Sequence, residues 1–281
     1  VQTIRQLAPL RKALAALRAE GTVALVPTMG ALHAGHMALV AEARLHARHV
    51  VVSIFVNPTQ FGPGEDLATY PRRPTADSNM LREAGVSLLW MPEAATMYPA
   101  GFATAVSVGG LTEAMDGAAR PGHFDGVATV VTKLFNQVRP DVALFGEKDY
   151  QQLAMIRRMA ADLDMGVKVI GVVTQRDADG VALSSRNAYL TEENRVKARA
   201  LPRALGEAAM TIEKGGDPAE AIAHARAAIE RAGFEAIDYL DLRDAETLAA
   251  DPAPERPARL LVAARIDGTR LIDNLPIAPR G

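Results

Sequence analysis

Two apolar runs, each with a proline at its end, constrain this chain most. Thr22-Val-Ala-Leu-Val26 is stopped by Pro27, and Val50-Val-Val-Ser-Ile-Phe-Val56 by Pro58. Neither run alternates, so both read as strands buried on two faces. Proline has no N–H for a central ladder, which sets the ends. Helical patterns stand between such runs. Ile4, Leu7, Leu10, Leu14 and Leu17 predict a helix over 4–19, followed by Gly35 to Ala47 and Thr75 to Ala84. Ser87 to Trp90 reads as a short strand, Val127 to Val138 as an apolar helix and Val142 to Phe145 as a strand. Asp149 to Asp162 is then a helix and Val167 to Val173 a strand. This β-α-β-α alternation over residues 1–175 predicts a parallel sheet covered by helices. Ligands bind such sheets at the carboxyl ends of the strands. Thr104 to Val108 reads as one more strand and Gly117 to Phe124 as a loop. The Gly- and Pro-rich segment from Asn57 to Pro74 is a long loop of the kind that often carries function.

The texture changes beyond residue 175. Thr191 to Lys214 and Pro218 to Ala232 read as Ala-rich helices split by Gly215-Gly216-Asp217. The strand-like runs Ala236 to Leu242, Arg259 to Ala264 and Thr269 to Asn274 follow. The expected organisation is an α/β parallel-sheet domain over 1–175 and a smaller α+β domain over 176–281, with the boundary between 172 and 186. Hydrophobic residues make up 49% of the chain, enough for a substantial core. The absence of cysteine excludes disulfides, thiolate catalysis and cysteine-based metal sites. A net charge of −2 gives no electrostatic case for nucleic acid or an anionic membrane. No run reaches the roughly 18 apolar residues of a membrane span. The first residues, Val1 to Gln6, show no apolar signal-peptide core, so the expected location is the cytoplasm.

Several segments carry chemistry. Pro27-Thr-Met-Gly-Ala-Leu-His33-Ala-Gly-His36 lies between a predicted strand and a predicted helix. Free N–H groups and the helix dipole favour a phosphate there, and two imidazoles can hydrogen-bond it. A Gly and His helix cap and a pair of zinc ligands are the other readings, although zinc needs a further ligand. Phe145-Gly-Glu-Lys148-Asp149-Tyr-Gln-Gln152 again joins a strand end to a helix. Lys148 can reach phosphate oxygens, or the turn can be a plain cap, since Asp149 and Gln152 have capping-box spacing. Leu183-Ser-Ser-Arg186-Asn187 offers two hydroxyls and a guanidinium, in a composition also common in loops. Phe55-Val-Asn57-Pro-Thr-Gln60-Phe61 brings a carboxamide to a strand end, with Asn-Pro equally a turn signal. Arg120-Pro-Gly-His123-Phe-Asp125-Gly126 can line a site or simply enter a helix. Asp77 stands at a helix start, where an acid suits the dipole and can also help hold a metal.

Taken in order, these segments resemble the pantothenate synthetase (pantoate–β-alanine ligase) family of the HIGH-motif nucleotidyltransferase-like superfamily. The resemblance is carried by Pro27 to His36, Phe55 to Phe61, Gly122 to Gly126, Phe145 to Gln152, Leu183 to Asn187 and Leu271-Ile-Asp-Asn274. It implies a Rossmann-like N-terminal domain holding ATP and pantoate, and a smaller C-terminal domain acting as a lid. The implied reaction forms pantothenate, on the route to coenzyme A, from D-pantoate, β-alanine and ATP. Pantoate attacks the α-phosphate to give pantoyl adenylate and pyrophosphate; the β-alanine amine then displaces AMP. The implied catalytic residues are His33, His36, Lys148 and Arg186, with His36 at the family's proton-donor position. ATP would be met by Met29, Gly30, His33, Gly35, His36, Gly146, Lys148, Asp149, Gln175, Leu183, Ser184, Ser185 and Arg186. Gln60 and Gln152 would hold pantoate, Gln60 would also meet β-alanine, and Arg120 would stand near the substrate entrance. Magnesium would accompany ATP. Some relatives place an acidic pair after Tyr-Pro-Arg, whereas Tyr70-Pro-Arg-Arg-Pro-Thr-Ala-Asp77 has one acid. Asp77 is therefore one candidate for the metal, and ATP with water the other. A homodimer is also implied, with no nucleic-acid or membrane partner.

Other readings stand beside this one. An adenylyltransferase of the same superfamily would stop at the adenylated product, and Asn57 to Gln60 with Gly146 to Asp149 speak against it. A non-catalytic nucleotide-binding protein would not need both histidines, Lys148 and Arg186. A nucleic-acid partner, as in the tRNA synthetases that share the motif class, finds no basic surplus here.

Overall fold

In chain order the first elements are β1 (Gln2–Ile4), α1 (Leu7–Glu20), β2 (Val23–Thr28), α2 (Ala34–His46), β3 (His49–Ile54), α3 (Pro74–Glu83) and β4 (Leu88–Trp90). They continue with α4 (Ala94–Met97), α5 (Asp116–Ala119), α6 (His123–Val138), β5 (Val142–Gly146), α7 (Tyr150–Asp162) and β6 (Lys168–Val172). The computed structural model describes residues 1–279. The six strands form one sheet in the order β1-β4-β3-β2-β5-β6, with every neighbouring pair parallel. This is the Rossmann-like α/β class that the alternation predicts. Val23 to Val26 and Val50 to Val52 are buried on both faces of the sheet, which is why they read as unbroken apolar runs.

Strand order reverses between β2 and β5, and this reversal positions the site. β2 pairs with β5 only at Ala24 and Leu25, whereas its ladder with β3 runs on to Thr28. Beyond Leu25 the two strands part and leave a crevice at their carboxyl ends. Pro27 is not the stop that the sequence suggests, for β2 continues to Thr28. The Thr28 carbonyl accepts from the N–H of Phe55, so Pro27, one residue earlier, turns its nitrogen toward β5. No ladder remains on that side, and the missing donor costs nothing.

Four further sequence expectations are corrected. The first helix begins at Leu7, because Ile4 belongs to β1. Thr104 to Val108 is not a strand; the Val106 N–H donates to the Thr129 hydroxyl of α6 at 2.9 Å instead. Helix α6 starts at His123 rather than Val127, and α5 fills part of the expected loop before it. The single helix expected over 191–214 is two, α8 (Glu192–Ala198) and α9 (Ala200–Glu213). Pro202 explains the break, since its ring cannot follow a helical carbonyl at Ala198 four residues before.

The chain divides into two compact units. One comprises Val1–Glu147 and Met155–Val173; the other comprises Lys148–Ala154 and the chain from Thr174 onward. The start of α7 therefore groups with the second unit. That unit adds α8, α9, α10 (Pro218–Arg231) and the antiparallel sheet β7 (Ala236–Asp244), β8 (Ala258–Ile266) and β9 (Thr269–Ile277), with β8 in the middle. Its core sets Leu201, Leu205, Ile212 and Ile229 of the helices against Leu260, Val262 and Ile266 of β8.

One close approach fixes the neighbourhood of the site. Gly126 of α6 lies against the turn Pro58–Gln60, and a Cβ there would stand 2.4 Å from the Thr59 carbonyl oxygen. We expect Gly126→Ala to lower unfolding free energy by about 1–3 kcal/mol through overpacking. Gly206→Ala, inside α9 with nothing within 4 Å of the added carbon, should raise it by roughly 0.5–1 kcal/mol. Denaturant midpoints of the two variants check both signs.

Candidate active site

The segment leaving β2 turns through Gly30 at φ 87° and Ala31 at φ 50°, a course that suits glycine first and strains alanine second. Asp77, in the first turn of α3, holds it there. Its two carboxylate oxygens accept the N–H groups of Ala31 and Leu32, both at 2.9 Å, and the residue is 2% exposed. The loop then delivers His33 as the N-cap of α2. The Gly35 N–H donates to Nδ1 of His33 at 3.1 Å, and the His33 N–H donates to Nδ1 of His36 at 3.3 Å. Histidines thus occupy both places of a reciprocal capping box. A nitrogen that accepts a hydrogen bond carries no proton, so this geometry puts the ring hydrogen on Nε2. The rings lie 4.2 Å apart, half-buried at the helix start. The capping reading of this pair and its capacity to serve as a donor pair are therefore compatible.

The turn after β3 is organised by Asn57, which is 1% exposed. Its Nδ2 donates to Oε1 of Gln60 at 3.0 Å and to the Gly126 carbonyl at 3.1 Å. Its Oδ1 accepts from the hydroxyls of Tyr98 at 2.7 Å and Thr59 at 3.0 Å. Burial pushes the Tyr98 hydroxyl pKa up, against the bonds from Thr59 and Asn57, which keeps it a donor. These contacts fix the orientation of the Gln60 carboxamide. Its NH2 group faces the sulfur of Met29 at 3.4 Å, a weak acceptor that leaves the donors ready for a better one. Met29 and Gln60 are thereby brought together.

The Gln60 carbonyl has its own support. Nδ1 of His123 donates to it at 2.8 Å, and Nε2 of His123 accepts from Arg120 at 3.0 Å. Arg120 also makes a paired contact with Glu65 through Nε at 2.7 Å and Nη2 at 2.6 Å. Burial alone would raise the Glu65 carboxyl, but the bond to Arg120 and its charge outweigh this and hold it below its ordinary range. Burial, and then the Arg120 cation, lower the His123 pKa from 6.5 to about 4, against the Gln60 carbonyl and the charges of Asp116 and Glu65. His123 is consequently a neutral bridge at neutral pH. Arg120, with its guanidinium on Glu65, sits in the scaffold of the Gln60 turn.

Further candidates lie in the second unit. Lys148 is in the helical turn Glu147–Asp149, where Asp149 is exposed, and Gln152 is half-buried on the first turn of α7. Ser184 caps the turn Ser185–Tyr189 by accepting the Arg186 N–H at 3.2 Å. The Gln175 carbonyl accepts the Leu183 N–H at 2.9 Å, which ties this polar segment back to residue 175. Lys148, Ser184, Asn187 and Asp273 line one small cavity of about 10 Å³. Gly146 ends β5, at the same switch point from which the His33 segment departs.

A family model for pantoate-beta-alanine ligase matches residues 2–276. The chain belongs to the pantoate–beta-alanine ligase family. It is 63% identical over 280 residues to the pantothenate synthetase of Rhizorhabdus wittichii, covering 99% of each chain. It is 60% identical over 278 residues to that of Sphingopyxis alaskensis, covering 99% of this chain and 100% of the other. The pantothenate synthetase of Thermus thermophilus has the same fold, with a TM-score of 0.93 at 50% identity over 99% of this chain and 100% of that one. The pantoate-beta-alanine ligase of Francisella tularensis, solved in complex with beta-gamma ATP and beta-alanine, gives a TM-score of 0.84 at 31% identity, covering 98% and 97%. The protein is thus a ligase that joins pantoate to β-alanine.

Sequence reasoning missed two residues on which the Gln60 turn is built, Asn57 and Glu65. Asn57 read as a turn signal, and nothing local marked it as the hub beneath Gln60. Glu65 was not singled out, because its partner Arg120 lies 55 residues away. The His123 arrangement generates a pH prediction. Between pH 6.5 and about 4 the unfolded chain binds a proton that the folded chain excludes. The contribution is therefore fully present above pH 6.5 and is lost as pH falls to about 4, amounting to about 3 kcal/mol. Urea midpoints measured across that window should fall more steeply for the native chain than for His123→Gln.

Proposed function

We propose that the ligase works through an acyl adenylate made from ATP. The carrying observation is the pair of imidazoles at the start of α2, each with Nδ1 facing a backbone N–H, a geometry that puts the ring hydrogen on Nε2. Two such donors at a helix N-terminus suit phosphate oxygens whose charge grows as pyrophosphate leaves. The pantoate carboxylate attacks the α-phosphorus, the bond to the bridging oxygen breaks, and pyrophosphate departs. The β-alanine amine then attacks the acyl carbon and AMP leaves. Activation splits one difficult acyl transfer into two easier steps.

In this reading His33 and His36 act on the phosphates, and Lys148 and Arg186 add fixed cations to them. Met29, Gly30, Gly35, Gly146, Asp149, Leu183, Ser184 and Ser185 contribute to the nucleotide site, with Gln175 meeting adenine through its backbone. Gln60 and Gln152 hold pantoate, and Gln60 also meets β-alanine. Among the described residues the Gln60 NH2 group faces a sulfur, which supports that role, since a carboxylate or hydroxyl is a far better acceptor. The catalytic domain is assigned to residues 1–175 and the smaller domain to 176–281. Cytoplasmic location and a homodimer complete the reading. Among the described residues no helix is long and apolar enough to cross a membrane.

Magnesium belongs with ATP, where it neutralises phosphate charge. Among the described residues no three His, Cys, Asp or Glu side chains group to hold a metal. Asp77 uses both oxygens on the loop N–H groups. We therefore assign the ion to the phosphates and water, and Asp77 to holding the loop.

Pyrophosphate release from ATP and magnesium, with D-pantoate present and β-alanine withheld or added, tests the reaction course. A pantoate-dependent burst that becomes steady turnover to AMP on adding β-alanine is expected. Steady release without the amine would point instead to an adenylyltransferase, and no pantoate dependence would overturn the reading. His36→Gln retains a capping-box acceptor but loses the imidazole donor. It should fold normally and slow the burst by roughly 100-fold or more. Gln60→Ala should raise the pantoate Kd far more than the ATP Kd, as read by calorimetric titration.

A further inference from the structure

The Leu271-Ile-Asp-Asn274 segment contributes no ligand contact to the reading above, yet β9 buries Asp273 and Asn274 to 2% exposure each. Burying two polar side chains in a small sheet is costly unless each is fully bonded. We propose that Asn274, backed by Arg259, is a positioning residue that fixes Lys148 for its work on the ATP phosphates. The inference rests on the assignment of Lys148 given above.

Asn274 joins several partners. Its Nδ2 donates to the Lys148 carbonyl at 2.9 Å, and its Oδ1 accepts from Nε of Arg259 at 2.8 Å. Its own N–H donates to Oδ1 of Asp273 at 2.7 Å, and its carbonyl accepts from Arg176 at 3.3 Å. A carbonyl only accepts and a guanidinium only donates, so the amide can point one way. Arg259 stands on β8 opposite Pro276, two residues beyond Asn274 and on the same sheet face. It is 8% exposed, and its guanidinium lies over the Tyr150 ring at 4.0 Å. The Tyr150 hydroxyl donates to the Ala245 carbonyl at 2.8 Å. Residues 148 and 150 are thus both gripped from β8 and β9, one by its carbonyl and the other by its ring.

At Lys148 the grip acts on the backbone, and among the described residues the ammonium has no bond. A lysine on four flexible carbons reaches a phosphate reliably only if its Cα is fixed. The neighbouring acid is also kept from it. Asp273 lines the same cavity as Lys148, but Arg176 takes both of its oxygens, at 2.7 and 2.8 Å. Among the described residues no carboxylate pairs with Lys148.

Asn274→Asp separates this role from a merely structural one. The substitution keeps an acceptor for Arg259, where the bond becomes charge-assisted, and sets an oxygen against the Lys148 carbonyl. Pantoate-dependent ATP–pyrophosphate exchange is measured in the native chain, Asn274→Asp, Lys148→Ala and the double variant, with thermal melts of all four. We expect Asn274→Asp to melt within a few degrees of the native chain and to lose roughly 10- to 100-fold in exchange kcat. In the Lys148→Ala background the same change should cost less than about twofold, the signature of residues acting as one unit. Equal losses in both backgrounds, or native kinetics in Asn274→Asp, would overturn the proposal while leaving the role of Lys148 standing. Undiminished exchange in Lys148→Ala would overturn the assignment of Lys148, and this inference with it. Should Asn274→Asp fail to fold, Arg259→Lys, which retains the cation, is read by the same criteria.

Discussion

The course of the loop between β2 and α2 depends on one carboxylate. Two successive residues there have positive φ, and the second is alanine. Such a turn persists only where its surroundings over-determine it. Asp77 supplies this, with one oxygen on each of the next two N–H groups. Only with the loop so held does His33 arrive at the N-cap, where it can exchange bonds with the first turn of α2. A charge-assisted contact buried in α3 thus sets the start of a helix some forty residues earlier in the chain.

The same device recurs at other candidate segments. His123 holds the Gln60 carbonyl, Asn274 holds the Lys148 carbonyl, and the Leu183 N–H holds that of Gln175. In each case the support grips the main chain. A side chain tied directly by such strong partners would have to break those bonds to meet a ligand, at a cost of about a kcal/mol or more for each. Holding the backbone gives rigidity without that cost. Two of these supports, His123 and Asn274, are buried polar side chains from distant elements, where an unpaired group would be costly.

What the sequence disclosed follows from this division. The central strands were legible because Val23 to Val26 and Val50 to Val52 are apolar on both faces. β1 was not, because three residues at a sheet edge carry no period. Thr104 to Val108 has strand-like residues, but its backbone bonds go to a helix side chain, which no local pattern reveals. The break between α8 and α9 could have been read from Pro202, had the alanine-rich pattern not masked it. His33 and His36 were legible as a strand-to-helix turn. Their supports were not: Asp77 shares its purpose with any helix-start acid, and Asn57 looks like any Asn-Pro turn. Partners so far apart in sequence leave no spacing to recognise. The roles expected of Gln60, Gln152 and Arg186 came from resemblance to a family, since isolated side chains of these types are common on any surface.

The histidine capping box also bears on which ions this protein tolerates. A transition metal binds imidazole through a bare nitrogen lone pair. In both rings that lone pair is on Nδ1 and already turned to a backbone N–H, while Nε2 carries hydrogen. Zinc or copper could be bound only by moving the hydrogen and unfastening the first turn of α2. A hard ion that prefers oxygen makes no such demand. The bonds that shape the helix start therefore also occupy the lone pairs that such a metal would need.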